Sequence, residues 1–317
     1  METLRTPDER FEELKDYAYT PYYLELDDLD GGSLRMHYVD EGPRDARPVL
    51  LVHGEPTWGY LYRKMIPGLL AAGLRVVVPD LVGMGRSDKP AQQKDYTFVR
   101  HVSWLRSWLN SVDLQGSVFF GQDWGSLIGL TVVTLEAERF DAIVLANGGL
   151  PDPEHMERVV ELRAASSDQQ AFERWQKFSQ EATELHCGNM ISGSLENFSG
   201  TGLSEAERAA YDAPFPDPSY QAAALIFPSL VTAAGEGGDA TRLFSAAWRV
   251  LEGWEKPLLT AYGKADPVLG WADKLFQRYV PGAKGQPHVE FEDGGHFIQE
   301  QYPDELVEAI TGLAAGL

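Results

Sequence analysis

Apolar residues recur along this chain at two different spacings. Near the start, "YYLELDD" and "LRMHYVDEG" alternate apolar and polar positions on either side of "GG", the pattern of two antiparallel strands with one face in water. The runs "PVLLVHGEP", "RVVVPDLVG", "SVFFGQD" and "FDAIVLANGG" are continuous and rich in β-branched residues. Strands buried on both faces of a parallel sheet read this way. Segments 57–73, 96–113 and 124–140 between them carry helical periodicity, and the alternation predicts a doubly wound sheet with right-handed crossovers. From 151 to 247 the strand-type runs stop and helical periodicity takes over, broken by "YDAPFPDPSY". "PLLTAYGKAD" and "HVEFEDGGH" then restore the strand pattern, with helices expected near 271–279 and 303–316. The expected fold is therefore α/β, with eight strands in a mostly parallel sheet flanked by helices. Residues 1–150 and 248–317 form its core, and residues 151–247 form a helical insertion after the sixth strand.

The strand ends carry His53, Asp80, Asp123, Asn147, Asp266 and His296. Carboxyl ends of strands are where open α/β sheets bind ligands. In "FFGQDWGS" a buried run leads into Gly121, Asp123 and Gly125, the spacing of a nucleophile elbow whose middle residue is usually serine. Glycines two before and two after suit so tight a turn. Asp123, Asp266 and His296 follow one another in the chain order nucleophile, acid, base of the α/β-hydrolase fold. Asp266 is expected to accept the Nδ1–H of His296, leaving Nε2 free as the base. Other readings carry less weight. Asp123 as a helix N-cap leaves the two matching strand ends unexplained, and Ser126 lies inside the helix. Ser87 sits in "GMGRSDKP", whose sixth motif position is Asp88 rather than the glycine a dinucleotide site needs. His53 is read as loop structure, and His37, His101, His155, His186 and His288 have no comparable context.

An aspartate at the elbow changes the chemistry. Serine attacking a saturated carbon would form an ether, which water does not readily cleave. A carboxylate forms an alkyl ester, which is hydrolysed at its carbonyl. Aspartate is also already ionised at neutral pH, so the histidine is reserved for activating water in a second step. The expected substrates carry an electrophilic saturated carbon: alkyl halides or epoxides.

Composition narrows the partners. Forty-eight acidic against 27 basic residues give a net charge of -21, which disfavours nucleic acid and anionic membranes. The single cysteine, Cys187, rules out an intrachain disulfide and fits a reducing compartment. The N-terminus lacks an apolar signal region, so a cytoplasmic location is expected. Neither an H-E-x-x-H motif nor paired cysteines supports a metal.

"VHGEPTW", "PDLVGMGRSDKP", "GQDWGS", "LANGG", "GKADPVLG", "EDGGHFIQE" and the insertion's "YDAPFPDPSYQAAALIFP" together resemble the haloalkane dehalogenases, in the subfamily with its acid after the seventh strand. The resemblance spans nearly the whole chain. It implies hydrolysis of a carbon–halogen bond to an alcohol, a halide and a proton, with no cofactor or metal. Position by position it implies Asp123 as nucleophile, His296 as base and Asp266 as supporting acid. Backbone N–H groups of Glu55 and Trp124 would form the oxyanion hole, and Glu55 would also orient water or order its loop. The indoles of Trp124 and of Trp175, the only tryptophan between 151 and 247, would hold the halide. Phe172, Phe227 and Pro228 would line the pocket. Epoxide hydrolases share the aspartate and the tryptophan after it, but they place an aromatic where Glu55 stands and use tyrosines from the insertion, here Tyr211 and Tyr220. A non-catalytic receptor for a small ligand on the same fold is a third reading.

Overall fold

A computed structural model describes residues 1–164, 166, 168–233 and 238–317, with the backbone alone at 199, 232 and 233. The eight-stranded sheet comprises β1 (Tyr22–Asp27), β2 (Ser33–Glu41), β3 (Pro48–Val52) and β4 (Arg75–Pro79). It continues with β5 (Ser117–Asp123), β6 (Phe140–Gly148), β7 (Leu258–Gly263) and β8 (Val289–Phe291). Their order across the sheet is β8-β7-β6-β5-β3-β4-β2-β1. Only β1–β2 and β2–β4 pair antiparallel; the others are parallel. Every residue of β3 and β7 is buried, as expected for strands covered by helices on both faces. A two-residue ribbon, Thr3–Leu4 against Lys89–Pro90, is too short to leave a periodic signal.

Helices Phe98–Val112, Asp273–Tyr279 and Pro303–Ala315 fall where periodicity placed them. Segment 57–73 is not one helix. It is a 3-10 turn, Gly59–Tyr62, followed by the short helix Ile66–Ala71; Pro67, which has no N–H to donate, stands in the first turn of the second piece. The helix expected over 124–140 stops at Leu135, because β6 begins at Phe140. After β6, six helices follow among the described residues, from Met156–Arg163 to Asp239–Leu251. The last of these crosses position 247 and packs against helices Trp124–Leu135 and Phe98–Val112. Its Trp248 indole donates to the Pro151 carbonyl at 2.9 Å, which anchors the chain's exit from β6.

A buried charge network joins the insertion to the sheet's helices. The Arg63 guanidinium donates to Glu300 at 2.9 Å and to Glu207 at 3.1 Å. Lys64 lies 2.8 Å from Glu300, and the Tyr211 hydroxyl donates to the same carboxylate. Tyr211 sits in helix Glu205–Asp212, and its hydroxyl is already committed. Burial would push the Glu300 carboxyl up, but Arg63 and Lys64 hold it below its ordinary value. Removing Arg63 leaves that buried carboxylate short of its main partner. Arg63→Met is expected to destabilise the fold by about 3–5 kcal/mol in urea unfolding, with a smaller loss, about 1–3 kcal/mol, for Tyr211→Phe.

Candidate active site

β5 ends on Gln122 and Asp123, and the chain turns at once into helix Trp124–Leu135. Asp123 adopts φ 52° and ψ -127°, a conformation that costs a non-glycine residue about 1–3 kcal/mol and persists only when its surroundings enforce it. Two missing side chains enforce it here. A Cβ on Gly125 would lie 1.9 Å from the Val52 carbonyl oxygen, and one on Gly54 would lie 2.4 Å from the Asp123 side chain. The end of β3 can therefore approach the elbow, and the Glu55 N–H donates to Asp123 Oδ1 at 2.8 Å. Trp124 opens the helix, where N–H groups have no intrahelical acceptor.

His296 comes from the loop after β8. Its Nδ1 lies 2.9 Å from Asp266 Oδ2, and its Nε2 lies 3.5 Å from Asp123 Oδ2. Asp266, buried in the loop just after β7, also accepts from Asn147 Nδ2 at 2.9 Å and from the Val268 N–H at 2.8 Å. Burial would raise the Asp266 carboxyl, but His296, Asn147 and Val268 hold it below its ordinary value. Burial alone would lower His296; the charges of Asp266 and Asp123 outweigh it and hold the imidazole well above its usual value. Asn147, a polar strand end without an assigned partner in the sequence, proves to be the brace of Asp266. It bridges β6 to β7 by also accepting from the Gly263 N–H at 2.7 Å.

A cavity of about 860 Å³ opens over Asp123, with Trp124, Trp175, Phe172 and Leu269 among its walls. Glu55 also faces it. Burial pushes the Glu55 carboxyl well above its ordinary value and Asp123 adds to the rise, while His296 and the Trp175 indole pull it back. Two expected wall residues are elsewhere. Phe227 is fully buried behind the wall, its ring 4.7 Å from Trp124 and 4.5 Å from His101. Pro228 is buried within helix Ala222–Ala233, its carbonyl accepting from Gln176 at 3.1 Å. Val231, one turn beyond Phe227, reaches the cavity instead. Neither Tyr211 nor Tyr220 lines it; among the described residues, no tyrosine does. His53 makes loop structure, its Nε2 accepting the Leu81 N–H at 2.9 Å. Among the described residues, no group of three or more His, Cys, Asp and Glu is arranged to hold a metal ion. No helix among them is long and apolar enough to cross a membrane.

A strained carboxylate elbow on a doubly wound sheet, followed in chain order by an acid and a histidine, marks an α/β hydrolase, and residues 47–303 match the model of the alpha/beta hydrolase fold. Within that class the relatives are specific. A haloalkane dehalogenase of Psychrobacter cryohalolentis is 46% identical over 98% of this chain and 97% of its own length. One from Mycobacterium marinum is 44% identical over 98% and 99%. The tetrameric structure of the haloalkane dehalogenase DpaA from Paraglaciecola agarilytica superposes with a TM-score of 0.84 at 33% identity, covering 100% of this chain and 99% of that one. The chain belongs to the haloalkane dehalogenase family.

The elbow's geometry makes a direct prediction. Gly125→Ala must push a Cβ into the Val52 carbonyl, a backbone atom that cannot step aside, and is expected to cost about 3 kcal/mol or more in urea unfolding. Gly149→Ala, whose Cβ would meet only the Leu269 side chain at 3.3 Å, should stay within about 1 kcal/mol of wild type.

Proposed function

We propose that this chain hydrolyses the carbon–halogen bond of haloalkanes to an alcohol, a halide and a proton through an alkyl ester on Asp123. The observation that carries this reading is the placement of His296 Nε2 3.5 Å from the Asp123 carboxylate, with Nδ1 held by Asp266. In the first step Asp123 attacks the saturated carbon and the halide leaves with the bonding electrons. In this reading the indoles of Trp124 and Trp175, both in the cavity wall, receive it: an indole N–H is a donor with no acceptor, suited to a large, weakly hydrated anion. In the second step His296 Nε2 takes a proton from water, which adds to Cγ of Asp123. The Glu55 and Trp124 N–H groups stabilise the resulting oxyanion. Collapse restores the carboxylate and releases the alcohol, whose proton comes from the added hydroxyl; His296 passes its own to solvent. Esterification also removes the Asp123 charge, one of the two that hold His296 up. The imidazole thus becomes a weaker base after the first step, and so is neutral over a wider pH range when its lone pair is needed.

The domain division fits this reading, with the residues of 151–247 as a cap supplying Trp175 and Phe172 to the site. A cytoplasmic location fits the single, buried cysteine. The epoxide alternative needs a hydroxyl to protonate the epoxide oxygen, and Tyr211 is bonded to Glu300 instead. A non-catalytic receptor would have no use for a strained elbow aligned with a base.

The test is incubation with 1-bromobutane, 1,2-dibromoethane and styrene oxide, following halide, protons and diol. Halide release is expected, and its loss in Asp123→Ala; diol formation without halide would sink the reading. His296→Phe should release one equivalent of halide and then stall, with the alkyl adduct on the Asp123 peptide by mass spectrometry. An adduct on a serine would overturn the mechanism. The pH dependence follows from the roles. Turnover needs neutral His296 and should fall as pH drops through the imidazole pKa of the alkyl-enzyme. The halide burst, which needs only ionised Asp123, should persist below that pH in rapid-quench experiments.

A further inference from the structure

β5 is apolar from Val118 to Phe120 and then carries Gln122 directly before the nucleophile. Gln122 is fully buried. Its Nε2 donates to the His296 main-chain oxygen at 3.1 Å and lies 3.2 Å from His296 Nε2. Its Oε1 is buried without a hydrogen-bond partner. A buried amide carbonyl left unmatched is unfavourable, yet the opposite orientation would set Oε1 against the His296 carbonyl, lone pair against lone pair. Asp266 accepts at Nδ1, so the ring proton of the neutral histidine sits there and Nε2 presents its lone pair to the Gln122 amide.

We propose that Gln122 is a positioning residue for His296 in hydrolysis of the alkyl-enzyme. One amide fixes the histidine loop through its main-chain oxygen and, as a donor beside Nε2, keeps the proton of the neutral ring on Nδ1, so that Nε2 stands unprotonated next to the elbow. This rests on the reading of Asp123 as the alkylated nucleophile. The amide N–H favours neutral imidazole, because protonation would set N–H against N–H. It opposes the two carboxylates that face the ring and favour its cation, Asp266 from the loop after β7 and Asp123 on the elbow; Glu55, from the loop after β3, also faces the ring, with its carboxyl pushed up by burial. Gln122 touches no reacting atom in the first step. Its loss should therefore separate the two halves of the reaction.

The experiment uses Gln122→Met, which keeps the length and removes the donor, and Gln122→Leu as a second variant, with 1-bromobutane in single-turnover rapid quench. Alkyl-enzyme formation is expected within about twofold of wild type, while its hydrolysis slows about tenfold through lost orientation. The acid limb of the hydrolysis step should move to higher pH by roughly half a unit to one unit as the neutral base loses its donor. A purely structural role would slow both steps together and leave the limb in place, and that result overturns the proposal. Histidine nitrogen NMR of the wild type, recorded above the imidazole pKa so that the ring is neutral, adds a test that needs no variant: an Nδ1–H tautomer with an unprotonated, hydrogen-bonded Nε2 on His296 is expected, and an Nε2–H tautomer overturns it. A wild type that releases no halide refutes the dehalogenase reading itself. Turnover in wild type with unaltered variants refutes only the role of Gln122.

Discussion

The close approach of the β3 end to the elbow is the constraint on which the site depends. Val52 and Gly125 are in contact at a distance no side chain would allow, and that contact holds Asp123 in a conformation an aspartate does not choose by itself. The same approach brings the Glu55 N–H onto the carboxylate. Parallel pairing of β3 with β5, Val52 opposite Gly121, sets the register that makes it possible. The strain is stored locally and supported by two strands buried on both faces, where displacement of either would disturb a close-packed interior.

Around that elbow the structure places charge in a graded way. Asp266 is buried but has three donors and stays ionised. Glu55 is buried, its Oε1 without a partner, and its carboxyl is pushed up. Asp123 faces the cavity with one backbone donor. Three carboxyl groups near one imidazole thus differ in environment, and the differences suit them to different tasks. The acidic surface of the whole chain, net -21, has a related consequence. In the proposed reaction a neutral haloalkane would enter without electrostatic penalty, and a departing halide would be repelled by the acidic surface.

Much of the sheet was legible because strands buried on both faces must be apolar throughout and must end in turns, and those features are local. The elbow was legible because glycines at 121 and 125 announce a tight turn and a carboxylate between them has few other uses. Segment 57–73 misled because apolar periodicity persists across a 3-10 turn and a proline. Phe227 misled for a different reason: an aromatic in the insertion is apolar whether it lines a cavity or supports the wall from behind, and only its contacts with Trp124 and His101 decide which. Gln122 did leave a signal, a lone amide in an apolar strand, but its meaning depends on a histidine 174 residues away.

By itself, then, the sequence determined the sheet, the helical insertion, the aspartate elbow and the order of acid and histidine after it. Each of these rests on near-neighbour periodicity or on a residue type with one plausible chemistry. Tertiary structure alone decided that Asn147 braces Asp266, that Gln122 meets His296, that Tyr211 is bonded away from the cavity and that Val231 rather than Phe227 reaches it. Those outcomes depend on where side chains from separate strands and helices converge, and convergence is set by packing across the whole fold, not by spacing along the chain.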